Sequence, residues 1–569
     1  MYHVPHFSLA TAVDAYYRSH QSGMVGSMQE PTGCRQPLDI KTIKDADEER
    51  PFSNAARELT EGALVLGSIA KRFEPDTADA CPLLGAIAQQ GQIFVGEWKV
   101  GGDGARDIAA PATGIKIGSI GLASIDDLET AASRAKDAQR AWAKLSYRKR
   151  AEVLRHAGSL WRIHEPEIRD WIVRETGGVV GKALRECQES AEECFHGAAL
   201  AVAPSGDVLR SDEPRLSFSR RTPVGVVGVI TPFNFPVILA MRSVAPALAL
   251  GNAVILKPDS RTAISGGLII ARIFELAGLP AGVLHVLPGD GEIGAALVRH
   301  PSVSLISFTG STAAGAKVSS AAAAHHKKVH LELGGNNALI VCRDVDLEKA
   351  VACGMWGSFN HQGQICMATG RHIVHASLAR AYAARMAERA DSLPVGDPAS
   401  GEVALGPLID TRQRDRVHQM VSDSIAGGAE LLAGGTFEGL YYRPTVLFDA
   451  MGASRCFNEE IFGPVAVIAP FETDEDAARI ASSTSYGLVL GVLTNDVMNA
   501  LRLSELAPTG MVHINDQTVA DEPNAPFGGL GHSGSGGRFG GFASNLDAFT
   551  NTQWVTIRAE IASNPFTRG

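Results

Sequence analysis

At 569 residues the chain exceeds what one simple core accommodates, and two or three structural units are expected. Apolar residues at 45%, charged residues at 20%, and 60 glycines and 28 prolines spread along the chain exclude a disordered or low-complexity polymer and fit an α/β enzyme. A formal charge of -10 without a long Lys/Arg stripe excludes nucleic acid as an expected partner, and eight cysteines without a Cys-x-x-Cys pair point to a reducing, cytoplasmic setting rather than to disulfides or zinc.

Residues 1–81 show no sustained period and no recognisable chemistry, although Asn54 to Phe73 is spaced for a helix with Leu59, Leu64, Leu66 and Ile69 on its apolar side. Acids at Asp14, Asp39, Asp45, Asp47, Glu48 and Glu49, with no basic start and apolar core, fit neither a secretory signal nor a transit peptide. Ile93-Phe94-Val95 reads as a strand. Ile125 to Ala143 is an alanine-rich helix opened by a Ser124 cap, a second helix runs from Arg148 to His164, and Pro166 marks the start of another. Gly206 to Arg221, with Leu216 and Phe218 among alternating polar residues, reads as a hairpin.

Val224 to Leu250 is the longest apolar stretch, but Pro232, Asn234, Pro236, Arg242 and Pro246 interrupt it. No membrane span is expected there; the pattern fits a buried strand at Val226 to Ile230, a functional turn, and a buried helix from Val237. Strands at Ala253 to Leu256, Val283 to Leu287 and Leu305 to Phe308 then alternate with helices at Ala263 to Ala277 and Gly291 to Arg299, the pattern of a nucleotide-binding parallel sheet. A second α/β series follows, with a strand at Ala338 to Val341 and helices at Leu347 to Gln362 and Ala376 to Leu393, before a strand-like tail at Thr552 to Ile557.

Several residues stand out chemically. Phe308-Thr309-Gly310-Ser311-Thr312-Ala313-Ala314-Gly315 turns from a strand into a helix, where free backbone N–H groups face an anion, though glycine also serves such a turn sterically. Lys257 closes a strand at the edge where open α/β sheets bind ligands; alone, it equally reads as a solvated strand end. Cys366 alone reads as a small buried hydrophobe, but the polar approach His361-Gln362-Gly363-Gln364 to a loop or helix start is a setting that stabilises a thiolate. Glu332, between Leu331 and Leu333, has the apolar setting that raises a carboxyl towards general-base range. Asn234, in Pro232-Phe233-Asn234-Phe235-Pro236, carries an amide suited to an oxyanion. The run His325-His326-Lys327-Lys328-Val329-His330 reads as a solvated helix end rather than a metal site.

From about Gln92 onward these motifs, with Glu459-Glu460-Ile461-Phe462-Gly463-Pro464 and Pro526-Phe527-Gly528-Gly529, stand in the order of the aldehyde dehydrogenase superfamily, which the chain resembles. The resemblance implies a Rossmann-type cofactor domain (82–205 and 224–335), an α/β catalytic domain (336–530), and a small β oligomerisation element with tail (206–223 and 531–569) after the 1–81 extension. It implies Cys366 as nucleophile, Asn234 and the Cys366 backbone N–H as oxyanion donors, and Glu332 as the base that activates water. It further places Lys257 at the adenosine ribose, Glu460 at the nicotinamide ribose and Phe462 by the nicotinamide, with Ile230, Thr231, Pro232, Phe233, Gly310, Ser311, Gly315 and Leu333 along the cofactor groove.

Where NAD-preferring relatives usually carry Glu three residues after the lysine, this chain has Ser260, so NAD is expected with NADP not excluded, and Asp259 is a candidate for restoring discrimination. His361 to Arg371, His513 to Val519 and Asp521-Glu522-Pro523 look like the benzaldehyde dehydrogenase branch and its vanillin-oxidising neighbours. An aromatic aldehyde would then sit among Phe235, Ile238, Ile365 and Met367, and Arg242 would meet a substrate carboxylate if it faced that pocket. The alternatives are an aliphatic or semialdehyde substrate, transfer of the thioester to coenzyme A, which Glu332 argues against, and a catalytically silent homologue. The expected partners are a small aldehyde and further copies of the chain, as homodimer or homotetramer, with no membrane and no metal.

Overall fold

Val226–Ile230 has the composition of a strand covered on both faces, and all five residues are buried. Removing each such Val or Ile from water contributes about 1.5–3 kcal/mol. The strand belongs to a nine-stranded sheet in a computed structural model that describes residues 82–562; the expected helix at Asn54 to Phe73 and the rest of the 1–81 extension lie outside the described residues. The sheet order is Lys328–Glu332, Val303–Thr309, Val226–Ile230, Ala253–Lys257, Leu284–Val286, Gln92–Phe94, Lys116–Gly121 and Ala105–Ala109, with Trp98–Val100 paired to Gln92–Phe94. The first five run parallel, so their carboxyl ends, with Ile230, Lys257, Thr309 and Glu332, share one rim.

A second, seven-stranded sheet runs Glu430–Ala433, Thr445–Phe448, Val465–Phe471, Thr369–His375, Asn337–Val341, Val489–Leu493 and Met511–Ile514, parallel except for its first strand. A short segment links the sheets: Glu332 ends the edge strand of the first, and Asn337 begins an interior strand of the second. A third sheet pairs Leu216–Pro223 with Val208–Leu209 on one side and Thr550–Ile557 on the other, both antiparallel, so the expected hairpin and tail strand join each other. The described residues thus form a mixed α/β fold, and none of their helices is long and apolar enough to cross a membrane.

The helix at Ile125–Lys144 starts as its sequence predicts. Ser124 Oγ accepts from Asp127 N at 3.2 Å and the Asp127 carboxylate accepts from Ser124 N at 2.9 Å, a reciprocal cap that contributes about 1 kcal/mol. Pro166 lies in the first turn of Glu165–Thr176.

Three expectations need correction. The helix expected through Gln362 stops at Phe359, because His361, Gln362 and Gly363 adopt φ of 47°, 54° and 64°, outside the right-handed helix. The helix expected from Ala263 opens as a π-turn at Ile264–Leu268 before the α-helix Ile269–Leu276, and the buried Glu175 carboxylate accepts from Ile264 N and Ser265 N at 2.9 and 2.7 Å. The histidine run is not wholly a solvated helix end: Lys328–Glu332 is a strand and His330 is buried, because the alternating face of that strand turns inward. The 21-residue helix Val180–Leu200 has no counterpart in the sequence reading.

Candidate active site

The turn after Val226–Ile230 carries Thr231 to Phe235 across the rim and into the helix Pro236–Ala249. The Glu186 carboxylate, from the helix Val180–Leu200, accepts from Val237 N at 3.1 Å and Ile238 N at 3.4 Å, satisfying two donors of that helix start. Asn234 stands in the turn that this helix start closes. Its Nδ2 donates to the Gln364 carbonyl at 2.9 Å, while Oδ1 has no partner.

Cys366 lies in a turn between the Asn360–Gly363 segment and the strand Thr369–His375. Asn337 Nδ2 fixes the turn by donating to the Cys366 carbonyl at 2.8 Å and the Ala368 carbonyl at 2.9 Å. Gln364 Oε1 accepts from Ile409 N at 3.1 Å, and Gln362 Nε2 donates to the Gly177 carbonyl at 3.1 Å. The polar approach therefore serves to anchor the turn. No helix starts at Cys366, and the expected thiolate stabilisation is corrected accordingly: burial, with the Glu460 and Glu332 carboxylates, pushes the thiol up to about 12, against a smaller opposing effect of Arg242.

Glu332, 3% exposed, ends the edge strand of the first sheet, and neither carboxylate oxygen has a hydrogen-bond partner. Burial raises its pKa, opposed first by His330 and then by Arg538 and Arg242, so the apolar setting expected from sequence is present. Glu460 accepts from Gly335 N at 3.1 Å, and burial pushes it up to about 7.

Two cavities meet at Cys366, and Asn234 and Leu239 also border both. The larger, about 440 Å³, runs along the first sheet's rim. Ile230, Thr231, Pro232, Phe233, Lys257, Gly310, Ser311, Leu333, Glu460 and Phe462 line it, as expected, together with Asp259, Arg261, Phe308, Arg412 and Arg416. Gly315 and Ser260 do not. A Cβ on Gly315 would stand 2.3 Å from Leu333 Cδ2, so this glycine permits close helix-to-strand packing. Ser260 Oγ accepts from Arg106 Nη1 at 2.9 Å, and Arg106 is held by Asp290 in a two-pronged ion pair at 2.8 Å. Asp259 is paired with Arg261. Burial lowers the Lys257 pKa, with Asp259 and Asp290 opposing.

The cavity suits a dinucleotide. The helix Thr312–Ala323 presents its N-terminus there, Ser311 Oγ caps it by accepting from Ala314 N at 3.3 Å, and the buried Thr231 hydroxyl has no partner within the protein. Arg412 and Arg416 add positive charge for a pyrophosphate, whereas Arg261 is held by Asp259 and Asp410.

The second cavity, about 130 Å³, is lined by Phe235, Ile238, Ile365 and Met367, all four expected, with Leu239, Trp356, Val519 and Phe527. Its charged lining is internally matched. Lys182 pairs with Glu186, Arg185 with Glu189 at 2.5 Å, and Arg242 with Asp521 while its guanidinium lies 4.9 Å from the Phe527 ring centroid. Arg242 does reach the cavity wall, but its carboxylate comes from the protein. Lys182, Arg185 and Glu189 were missed with their helix. Val519 and Phe527 were quoted only as parts of motifs, and no local signal marked Trp356 or the arginines at 412 and 416.

Among the described residues no group of three or more His, Cys, Asp or Glu side chains could hold a metal. The described cysteines, Cys187, Cys194, Cys342, Cys353, Cys366 and Cys456, are free thiols.

Comparison with known proteins agrees with this geometry. Residues 98–555 match the aldehyde dehydrogenase family. A vanillin dehydrogenase from Amycolatopsis sp. is 55% identical over 476 residues, covering 84% of this chain and 98% of the relative. A benzaldehyde dehydrogenase (NAD+) from Pseudomonas putida is 47% identical over 477 residues, with the same coverage. Among solved structures, betaine aldehyde dehydrogenase from Staphylococcus aureus in complex with NAD+ superposes with a TM-score of 0.82 at 28% identity, covering 85% of this chain and 98% of that one.

Proposed function

The chain belongs to the aldehyde dehydrogenase family, and we propose that it oxidises an aromatic aldehyde to the carboxylic acid with NAD as hydride acceptor. The observation that carries this reading is the position of Cys366 and Asn234 on the border of two cavities, one polar and basic, the other largely apolar.

In this reading Cys366 Sγ attacks the aldehyde carbon from the junction of the cavities. Burial keeps it a thiol at neutral pH, so its proton passes to a water molecule as the C–S bond forms. The second Nδ2 hydrogen of Asn234 and the Cys366 N–H donate to the oxyanion of the thiohemiacetal. Bound NAD supplies the acceptor for the hydride that leaves this carbon. Glu332 then takes a proton from water as the water oxygen attacks the thioester, and returns it to the departing sulfur. Lys257 and Glu460 are assigned to the two riboses and Phe462 to the nicotinamide.

The relatives' substrates support the aromatic class, and so does the matched charge of the second cavity. With Lys182, Arg185 and Arg242 each held by a protein carboxylate, no cation lining it is left for the acid group of a semialdehyde. NAD or NADP reduction with benzaldehyde, vanillin and succinic semialdehyde, with Cys366→Ala as control, tests the assignment. Cys366-dependent turnover of the aromatic aldehydes is expected, and turnover of the semialdehyde alone overturns the substrate class.

We divide the chain functionally into a cofactor domain (82–205, 224–335), a catalytic domain (336–530) and an oligomerisation element (206–223, 531–569). The three-stranded sheet supports assembly into a homodimer or homotetramer, since Val208, Leu216, Trp554 and Ile557 are 81%, 50%, 62% and 53% exposed on it. Light scattering of a monodisperse monomer at working concentration would contradict this. The cysteine pattern supports a reducing, cytoplasmic setting.

A further inference from the structure

His330 has no part in the reaction as set out above. On the strand Lys328–Glu332 it lies two residues before Glu332, so both side chains project from the same face. Each is 3% exposed, and His330 Nε2 stands 3.3 Å from Glu332 Oε1. Neither imidazole nitrogen and neither carboxylate oxygen is hydrogen-bonded to any other group, and their own 3.3 Å contact lacks hydrogen-bond alignment, so each is the nearest polar group available to the other. A buried carboxylate and a buried imidazole without other partners are costly unless they satisfy each other.

The imidazole is also clamped. Its ring meets Phe539 edge-on, with centroids 3.7 Å apart and planes at 73°, and a Cβ on Gly537 would stand 2.5 Å from His330 Cδ2. The backbone pairs Ser307 with His330 and Thr309 with Glu332 on the neighbouring strand, which fixes both Cα positions. A carboxylate only accepts, so the tautomer that suits this contact carries its proton on Nε2.

We propose that His330 is a positioning residue for Glu332, donating from Nε2 to its carboxylate and so fixing the base that activates the hydrolytic water. The inference rests on the dehydrogenase reading above. The other ionisable groups whose charge reaches Glu332 are Arg538 from the loop after Gly531, Arg242 from the helix Pro236–Ala249, and the Cys366 thiol, which Glu460 also influences. Of these, His330 opposes the effect of burial most strongly. Without it the carboxylate retains its proton to higher pH, and the acid limb of the hydrolytic step moves towards alkaline pH.

Hydrolysis of 4-nitrophenyl acetate by the full chain without NAD isolates this step, because release of nitrophenolate reports acylation of Cys366 and the following steady state reports hydrolysis of the acyl-enzyme. His330→Leu should keep the nitrophenolate burst, slow the steady state by about 10- to 100-fold, and move its acid limb up by about one pH unit. His330→Gln, which restores a donor near the Nε2 position, should recover to within about threefold of the native rate. In a Glu332→Gln background, His330→Leu should cause no further loss. A native steady-state rate and acid limb in His330→Leu overturn the proposal. So do equal losses in the Leu and Gln variants, additive losses with Glu332→Gln, or a burst that falls together with the steady state. The dehydrogenase reading is judged separately, by NAD reduction with benzaldehyde in the unsubstituted protein.

Discussion

Gly335 approaches Cys366 so closely that a Cβ at position 335 would stand 2.5 Å from the Cys366 carbonyl oxygen. The two residues belong to different elements, one on the link between the sheets and the other on the nucleophile turn. Asn337 joins them, since its Nδ2 donates to that same carbonyl. Gly335→Ala must therefore displace backbone, and backbone cannot swing away as a long side chain can. The variant should stay folded but lose about 100-fold in kcat through misplacement of the thiol, with a smaller change in KM. Steady-state kinetics alongside thermal melting checks this.

The crowding of acids around Cys366 makes a second prediction. Glu460 is the largest electrostatic contributor holding the thiol protonated, ahead of Glu332. Alkylation of the cofactor-free protein by iodoacetamide should rise with pH up to at least pH 10 without a plateau, because the thiolate fraction keeps growing. Glu460→Gln should accelerate alkylation at pH 8 by about 3- to 10-fold, measured as the rate of modification of Cys366 by peptide mass spectrometry.

Buried histidines set an acid limit on stability. Burial lowers His285 to about 4 and His372 to about 3, from 6.5. His372 is bonded through Nε2 to Ser358 Oγ at 2.7 Å and through Nδ1 to the Tyr382 hydroxyl at 2.9 Å. The unfolded chain takes up these protons as pH drops through ~6.5, whereas the native state does not until much lower pH. Their contribution is therefore complete above the unfolded pKa and is lost as pH falls, by about 2 kcal/mol for each group at pH 5. Glu175, Glu193 and Glu460, each pushed up to about 7 by burial, act in the opposite direction over this range, so the histidine contribution is read by difference. The melting temperature of His372→Asn should fall less, or rise more, between pH 7 and pH 5 than that of the native protein, and an identical change contradicts the argument.

Ser260 lies beside the cavity proposed for the cofactor rather than in its lining, and a role in cofactor choice can be tested through its neighbours. Arg106 reaches its hydroxyl but is held by Asp290 through two contacts at 2.8 Å. Asp290 is well exposed, so Asp290→Ala should barely alter stability. It removes a negative charge and frees a guanidinium for a 2'-phosphate, and should raise kcat/KM with NADP relative to NAD by about tenfold.

The parts legible in sequence were those whose information is local. The Val226–Ile230 strand, the Ser124 cap and the proline in the first turn of Glu165–Thr176 each follow from neighbouring residues; Asn234 and Cys366 sit in short motifs that fold into single turns, and Glu332 ends a short strand. The helix Val180–Leu200 escaped because its buried face includes Lys182, Glu186 and Glu193 between small residues, which interrupt the apolar stripe. Lys182 and Glu186 pair with each other, and distant groups complete the set: the backbone of Val237 and Ile238 for Glu186 and the Arg242 side chain for Glu193.

The same reasoning covers the remaining misreadings. His330 looked solvated beside Lys327 and Lys328, and only the pairing of its strand with Val303–Thr309 turns it inward. The positive φ values of His361 and Gln362 end a helix that propensity alone would continue, because Gln362 is tied to Gly177 and Gln364 to Ile409 across the molecule. In the second cavity the charge of Arg242 is matched by Asp521, 279 residues away in the chain.

The most direct test of the account is intact-protein mass spectrometry of Glu332→Gln mixed with NAD and benzaldehyde, with NADH absorbance followed in parallel. A benzoyl adduct confined to Cys366, formed with a single-turnover burst of NADH and decaying slowly, is the predicted result. Sustained turnover at the native rate without an adduct would contradict the assignment of Glu332 as the base that hydrolyses a Cys366 thioester.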